Sequence, residues 1–195
     1  MVQLKKDSLL SNMKKVLMIL GVLVLLSNTS YSQLFVCANG KARFYSETPV
    51  ENIEGISNSV VSAINTTNNN IQYKIPMTSF VFKWSLMQDH FNENYVESGK
   101  YPNATFKGKI NETIDWTKDG VYEVTSTGVM NIHGVDKTVT EKGTVTISKG
   151  TINVKSSFPV MLSDYNVEIP SLVKDKIRER QDVTIDCSYT PYVKK

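Results

Sequence analysis

Histidine and cysteine are scarce in this 195-residue chain: two of each, His90, His133, Cys37 and Cys187. Neither pair has the spacing of a metal site, since there is no His-x-His, no Cys-x-x-Cys and no His-Glu-x-x-His. No serine occupies a Gly-x-Ser-x-Gly elbow, and no glycine-rich loop is present to cradle a phosphate. Asp89 and His90 are neighbours on an expected helix, where successive residues point about 100° apart, so they form no local catalytic pair. The sequence therefore reads as a protein without a catalytic residue, a metal or a cofactor. The enzyme alternative is a site assembled from distant residues around His90 or His133.

A net charge of one sign is also missing once the chain is divided. Lys5, Lys6, Lys14 and Lys15 against Asp7 account for the whole excess in residues 1–32. Removing them from 22 basic and 19 acidic residues leaves 18 of each. A neutral domain offers no electrostatic footprint for nucleic acid.

No long hydrophobic run is present either. The apolar stretch Val16–Leu26 has 11 residues, short of the roughly 20 that span a bilayer. With lysines before it and Ser30-Tyr31-Ser32 after it, the stretch has the layout of a secretory signal peptide. Cleavage is expected after Ser32, translation starts at Met1 or at Met13, and residues 33–195 form one domain. The expected product is periplasmic or secreted, without a stable membrane anchor.

What the sequence does have is period-2 alternation bounded by turn residues. Ile71, Tyr73 and Ile75 alternate with Gln72 and Lys74. Tyr122, Val124, Met130 and Ile132 share a face with the small Ser126 and Gly128. Val139, Val145 and Ile147, then Ile152, Val154 and Phe158, then Val183, Ile185, Cys187 and Tyr189 repeat the pattern. Lys118-Asp119-Gly120, His133-Gly134 and Ser148-Lys149-Gly150 supply turns, the last joining a tight hairpin. Helical spacing is confined to residues 85–95 and 171–180, each opened by a serine that could cap it. Eight or nine strands with one or two short helices predict an all-β antiparallel barrel or sandwich. Inward Ser126 and Gly128 either leave room in a lumen or mark a bend.

Three further features leave alternatives open. Cys37 and Cys187 lie near the two ends of the exported domain; they are a candidate disulfide if the first and last strands pair, or two small buried residues. Such a bridge, closing about 150 residues, would stabilise by roughly 4–5 kcal/mol in the chain-entropy account. The sequons at Asn65, Asn103 and Asn111 read as turn chemistry. Phe80, Phe82, Trp84, Met87, Phe91, Tyr95 and Tyr101 crowd one segment, either as a plug of core residues or as a lid over an apolar ligand.

The segment Leu86–Lys109 resembles the signature of the YceI-like family: Asp89-His90, then Tyr95, then Tyr101-Pro102 followed by Thr105-Phe106. A second block, Gly128 to Thr140, is similar to the family's strand turn through Met130, Ile132, Gly134, Val135, Lys137 and Val139. A third, Phe158 to Ile169, has Tyr165-Asn166 where members carry an aromatic and a glycine. Lys41–Glu47 departs from the pattern by lacking a histidine. The likeness is closest to the family's short exported members.

This resemblance implies a lipocalin-like barrel of about eight strands whose lumen holds a long-chain isoprenoid or fatty lipid: a polyisoprenoid, an isoprenoid quinone or a fatty amide. The expected pocket-facing residues are Phe80, Phe82, Trp84, Met87, Phe91, Met130, Ile132, Phe158 and Met161. His90, Tyr95 and Tyr165 are the candidates for contact with a polar head group, His90 being as readily a structural residue. A filled β-domain that binds another protein is the competing reading, and a homodimer is open.

Overall fold

The computed structural model describes residues 33–48 and 52–193. The expected signal peptide, its Ser32 cleavage position and Met13 lie outside the described residues. Eight long strands build the domain: β1 (Leu34–Ser46), β2 (Ile53–Asn65), β3 (Asn70–Pro76), β5 (Asn103–Ile110), β6 (Gly120–Ile132), β7 (Val135–Ser148), β8 (Thr151–Met161) and β9 (Arg180–Pro191). They run antiparallel in the order β1-β9-β8-β7-β6-β5-β3-β2, and β2 pairs back onto β1 to close the barrel. A two-residue β4 (Val81–Phe82) pairs with β2 at Gly55 and Ile56. Of the barrel and the sandwich that the alternation leaves open, the observed fold is the barrel that the family resemblance implies.

The inward face is the apolar one. Val124 and Met130 of β6, Val145 and Ile147 of β7, and Ile152 and Val154 of β8 are buried, with Thr, Lys and Asn between them pointing out. Two connections are two-residue turns with both residues left-handed: His133-Gly134 (φ 52° and 74°) and Lys149-Gly150 (φ 48° and 76°). This is the type I′ geometry whose twist suits a hairpin. The Asn-rich turn after β2 also forms, with Asn69 left-handed and the Asn65 side chain accepting from the Thr67 amide at 2.9 Å.

Gly128 is not a bulge. Pairing of β6 with β5 and with β7 runs through it without a shift. It sits opposite Gly108, and the Phe106 ring lies over that pair. A Cβ on Gly128 would run into the backbone of Gly108 and Lys107. Gly128→Ala is therefore expected to destabilise by about 2 kcal/mol through strand displacement. A urea midpoint within error of the parent would show that the two strands yield without cost.

The helical expectations fare unequally. A short helix α1 (Ser85–His90) forms and continues into a π-type turn, Phe91–Tyr95. Trp84, not Ser85, holds the N-cap position, and no side chain caps it. The second segment is corrected: it makes one 3-10 turn, Ser171–Val173, after Pro170. Its Leu172 is 93% exposed, so no apolar face packs down to support a longer helix, and short helices do not persist on propensity alone.

One end of the barrel is filled. Val60, Ile64, Val145, Ile152, Cys187 and Tyr189 are almost wholly buried there. Three polar side chains there, Tyr73, Tyr189 and Ser62, form a chain that ends on a backbone carbonyl. Ser62 Oγ donates to Gln72 O at 2.7 Å, so the Tyr189 hydroxyl, 2.6 Å away, donates to Ser62, and Tyr73 hydrogen-bonds Tyr189. Pairing of β1 with β9 brings Cys37 and Cys187 together here as free thiols. Both sulfurs lie against Gly40, where a side chain would strike Cys187 Sγ. Burial, then the neighbouring Cys37, pushes the Cys187 thiol far above its ordinary value.

Candidate functional site

The other half of the barrel is hollow. A cavity of about 180 Å³ lies between the filled end and the segment from Met77 to Val96 that crosses the opposite end. Its size is that of engineered apolar cavities of about 150 Å³, which stay dry and take up benzene. The walls come from every long strand except β2, and they are apolar apart from a few side chains on β5 to β9 and Tyr73.

Four phenylalanines roof this space. Phe44, at the far end of β1, stacks on Phe91 with ring centroids 5.3 Å apart and planes 17° from parallel. It meets Phe80 at 5.4 Å and Phe82 at 5.5 Å, while Phe82 and Phe91 lie 4.9 Å apart. Such tilted and offset contacts each add about 0.5–1.5 kcal/mol beyond area burial. No residue of α1 or of the turn that follows it is fully buried; Met87, Gln88, Phe91, Asn92 and Tyr95 are half-buried. The roof is held to the barrel mainly by aromatic side chains.

The expected pocket residues divide. Phe80, Phe91, Met130, Ile132 and Phe158 line the cavity. Phe82 packs behind Phe44 and Phe91 without reaching it. Met87 is half-buried and outside the lining. Trp84 points to solvent, 53% exposed; alternation from Phe80 breaks off because β4 spans only two residues. Met161 is 37% exposed on the outer face of β8, since it is three residues from inward Phe158 and a strand repeats every two.

The head-group candidates also fall away from the lumen. His90 is exposed on α1, and Tyr95 is half-buried outside the cavity lining. Tyr165 is buried beside the cavity rather than in its wall. Its backbone carbonyl accepts from His133 Nδ1 at 3.0 Å, and His133 Nε2 meets Glu97 Oε2 at 2.7 Å. With Tyr101 edge-on against the ring at 4.6 Å, His133 fastens the Glu97 segment and the loop after β8 to the β6–β7 turn. Asn166, next to Tyr165, is left-handed at φ 55°, the conformation that Asn takes in place of glycine.

Sequence reasoning missed two contributors. Phe44 lies in the Ala42, Phe44, Ser46 alternation of β1. Glu141 lies in the Val139, Glu141, Gly143, Val145 alternation of β7, and it faces the cavity. Burial raises its carboxyl pKa. The folded barrel thus holds that proton more tightly than the unfolded chain does. Its stabilising contribution is present below the ordinary glutamate pKa and is lost as pH rises through the raised value. Glu141→Gln should flatten that part of the stability–pH curve, measured by urea titration at mildly acidic and neutral pH. Equal pH slopes for the variant and the parent would place the carboxylate in solvent.

No protein of curated function matches this sequence. Among solved structures, a polyisoprenoid binding domain from Saccharophagus degradans is similar over 82% of this chain and 99% of its own, at 16% identity and a TM-score of 0.70. BcnA of Burkholderia cenocepacia covers 76% of this chain and 95% of its own, at 18% identity and a TM-score of 0.65. A YceI protein of Campylobacter jejuni covers 73% and 86%, at 15% identity and a TM-score of 0.58. At these identities the likeness is one of fold. The model of the YceI-like domain matches residues 36–189, most of the chain, and the protein belongs to the YceI-like domain family.

Proposed function

We propose that the protein is an exported carrier that encloses a long apolar chain of isoprenoid or fatty type in its barrel. The observation that carries this reading is the apolar cavity beneath the four phenylalanines. The polyisoprenoid binding domain from Saccharophagus degradans, similar in fold, supports the class of ligand. Each buried methylene of a tail is worth about 0.8 kcal/mol, so binding needs no charge on the domain and no catalytic residue. The cavity of about 180 Å³ holds a short length of tail. A longer chain is accommodated by displacing Phe80 and Phe91, whose own segment is thinly anchored.

Native mass spectrometry of gently purified protein is expected to show an additional apolar species of several hundred daltons. A protein that is always empty and that, once stripped, takes up no apolar probe overturns the reading.

Export rests on the layout of residues 1–32. We further propose that an oxidising compartment joins Cys37 to Cys187. The thiols already touch, and their burial suppresses the reactive thiolate once the barrel is closed, so the bond forms during folding. Protein isolated without reductant should weigh two hydrogens less than its sequence; two alkylatable thiols after denaturation would exclude the bridge.

A further inference from the structure

Apart from Tyr73, Thr105 and Gln181, the hydrogen-bonding side chains in the wall of the lumen gather in a patch on β6 to β8. Ser126 of β6 and Glu141 of β7 face each other as a cross-strand pair. The next inward position on β7 is Gly143, opposite Ser156 of β8. All four residues border the cavity. Gly143 has no side chain, and a Cβ built there would lie 2.9 Å from Lys155 O and 3.5 Å from Ser156 Cβ. Glycine therefore keeps the space beside the carboxylate open.

The Glu141 carboxylate and the Ser156 oxygen offer acceptors, and the Ser126 hydroxyl both donates and accepts. An ionised carboxylate only accepts hydrogen bonds. The Ser156 hydroxyl already gives its proton to Lys142 O at 2.5 Å, which leaves oxygen lone pairs. Lys142 follows Glu141 and also borders the cavity, where its carbonyl accepts from Ser156, while the residue is largely exposed. Lys137, two inward positions away on β7, pairs with Asp164. The Tyr165 hydroxyl is close enough to feel Glu141 and, raised to about 12 mainly by burial, stays protonated. Burial makes Glu141 hold its proton more tightly than a free carboxyl does; once ionised, it makes the patch negative, among apolar neighbours that screen the charge little.

We propose that Glu141, flanked by Ser126 and Ser156, is the head-group site of the lumen. It selects amphiphiles whose head donates a hydrogen bond and bears no negative charge. Alcohol, amine or amide heads fit; carboxylate and phosphate heads place like charge or unpaired acceptors against Glu141. This assignment rests on the carrier reading above and narrows its ligand.

The test uses the full exported domain, stripped of lipid, and three tail-matched ligands: oleyl alcohol, oleate and 9-octadecene. Each is titrated near neutral pH by displacement of an apolar fluorophore. The parent protein is expected to bind the alcohol about tenfold more tightly than oleate, the worth of one charge-assisted hydrogen bond. Glu141→Leu should weaken the alcohol by a similar factor and leave octadecene unchanged. Glu141→Gln, close in shape, should bring oleate up to the alcohol. Equal binding of alcohol and oleate by the parent overturns the head-group assignment, as does an unchanged alcohol-to-hydrocarbon ratio in Glu141→Leu. If the parent binds none of the three, the carrier reading itself fails, and the two failures are thereby told apart.

Discussion

Ala104→Trp is expected to empty the barrel of apolar cargo. Ala104 lies on β5 opposite Ile75, and both border the cavity. An indole in place of that methyl occupies much of a space of about 180 Å³. Closely packed interiors do not relax to restore lost room. Affinity for an apolar fluorophore should fall at least ~100-fold, about 2.7 kcal/mol, and the species that copurifies with the parent should disappear. Val129→Trp is the matched control: Val129 is 42% exposed on the outer face of β6, so the same side chain there should leave binding intact. Circular dichroism and the urea transition separate a blocked lumen from a protein that no longer folds. A folded Ala104→Trp that binds the probe as before would move the ligand site out of the barrel.

Phe44→Ala should cost about 3 kcal/mol of stability, the lower part of the range for an aromatic removed from a core. Phe44 is the ring that Phe80, Phe82 and Phe91 share, so its loss leaves the roof without its contact on β1. It also borders the cavity, and truncation enlarges the lumen. The two effects separate experimentally. Urea unfolding of stripped protein should show a lower midpoint at an unchanged slope. Amide exchange over residues 85–95 should speed up more than exchange in β6 and β7, because local opening follows the contacts that hold a segment. A loss below 1 kcal/mol with unaltered exchange would mean that the roof is anchored elsewhere.

These expectations depend on facts of unequal visibility in the sequence. Strand faces were readable because side chains alternate strictly: Met130, Ile132 and Phe158 were placed in the lumen from parity alone, and they line it. The same rule, applied through to the end of β8, puts Met161 outside. Trp84 was misplaced because alternation was carried past Phe82, where the chain bends into α1. Phe44 shares its parity with Ala42 and Ser46, but the feature that marks its stretch in the sequence is the histidine absent from Lys41–Glu47. Glu141 shows a different limit. A charged residue on an apolar face looks like an interruption of the pattern, although its parity with Val139 and Val145 marks it as inward. Strand count and turns leave a barrel or a sandwich, and the family resemblance points to the barrel. The division into a filled half and a hollow half did not, since it depends on which side chains of nonadjacent strands meet across the lumen.

That division has a consequence for traffic. With Tyr73, Tyr189, Ser62 and the two cysteines sealing one end, the barrel is a cup rather than a pipe. Whatever enters leaves past the same rim. On the carrier reading proposed above, a donor and a recipient of cargo take turns at one face, and neither pushes a molecule through to the other.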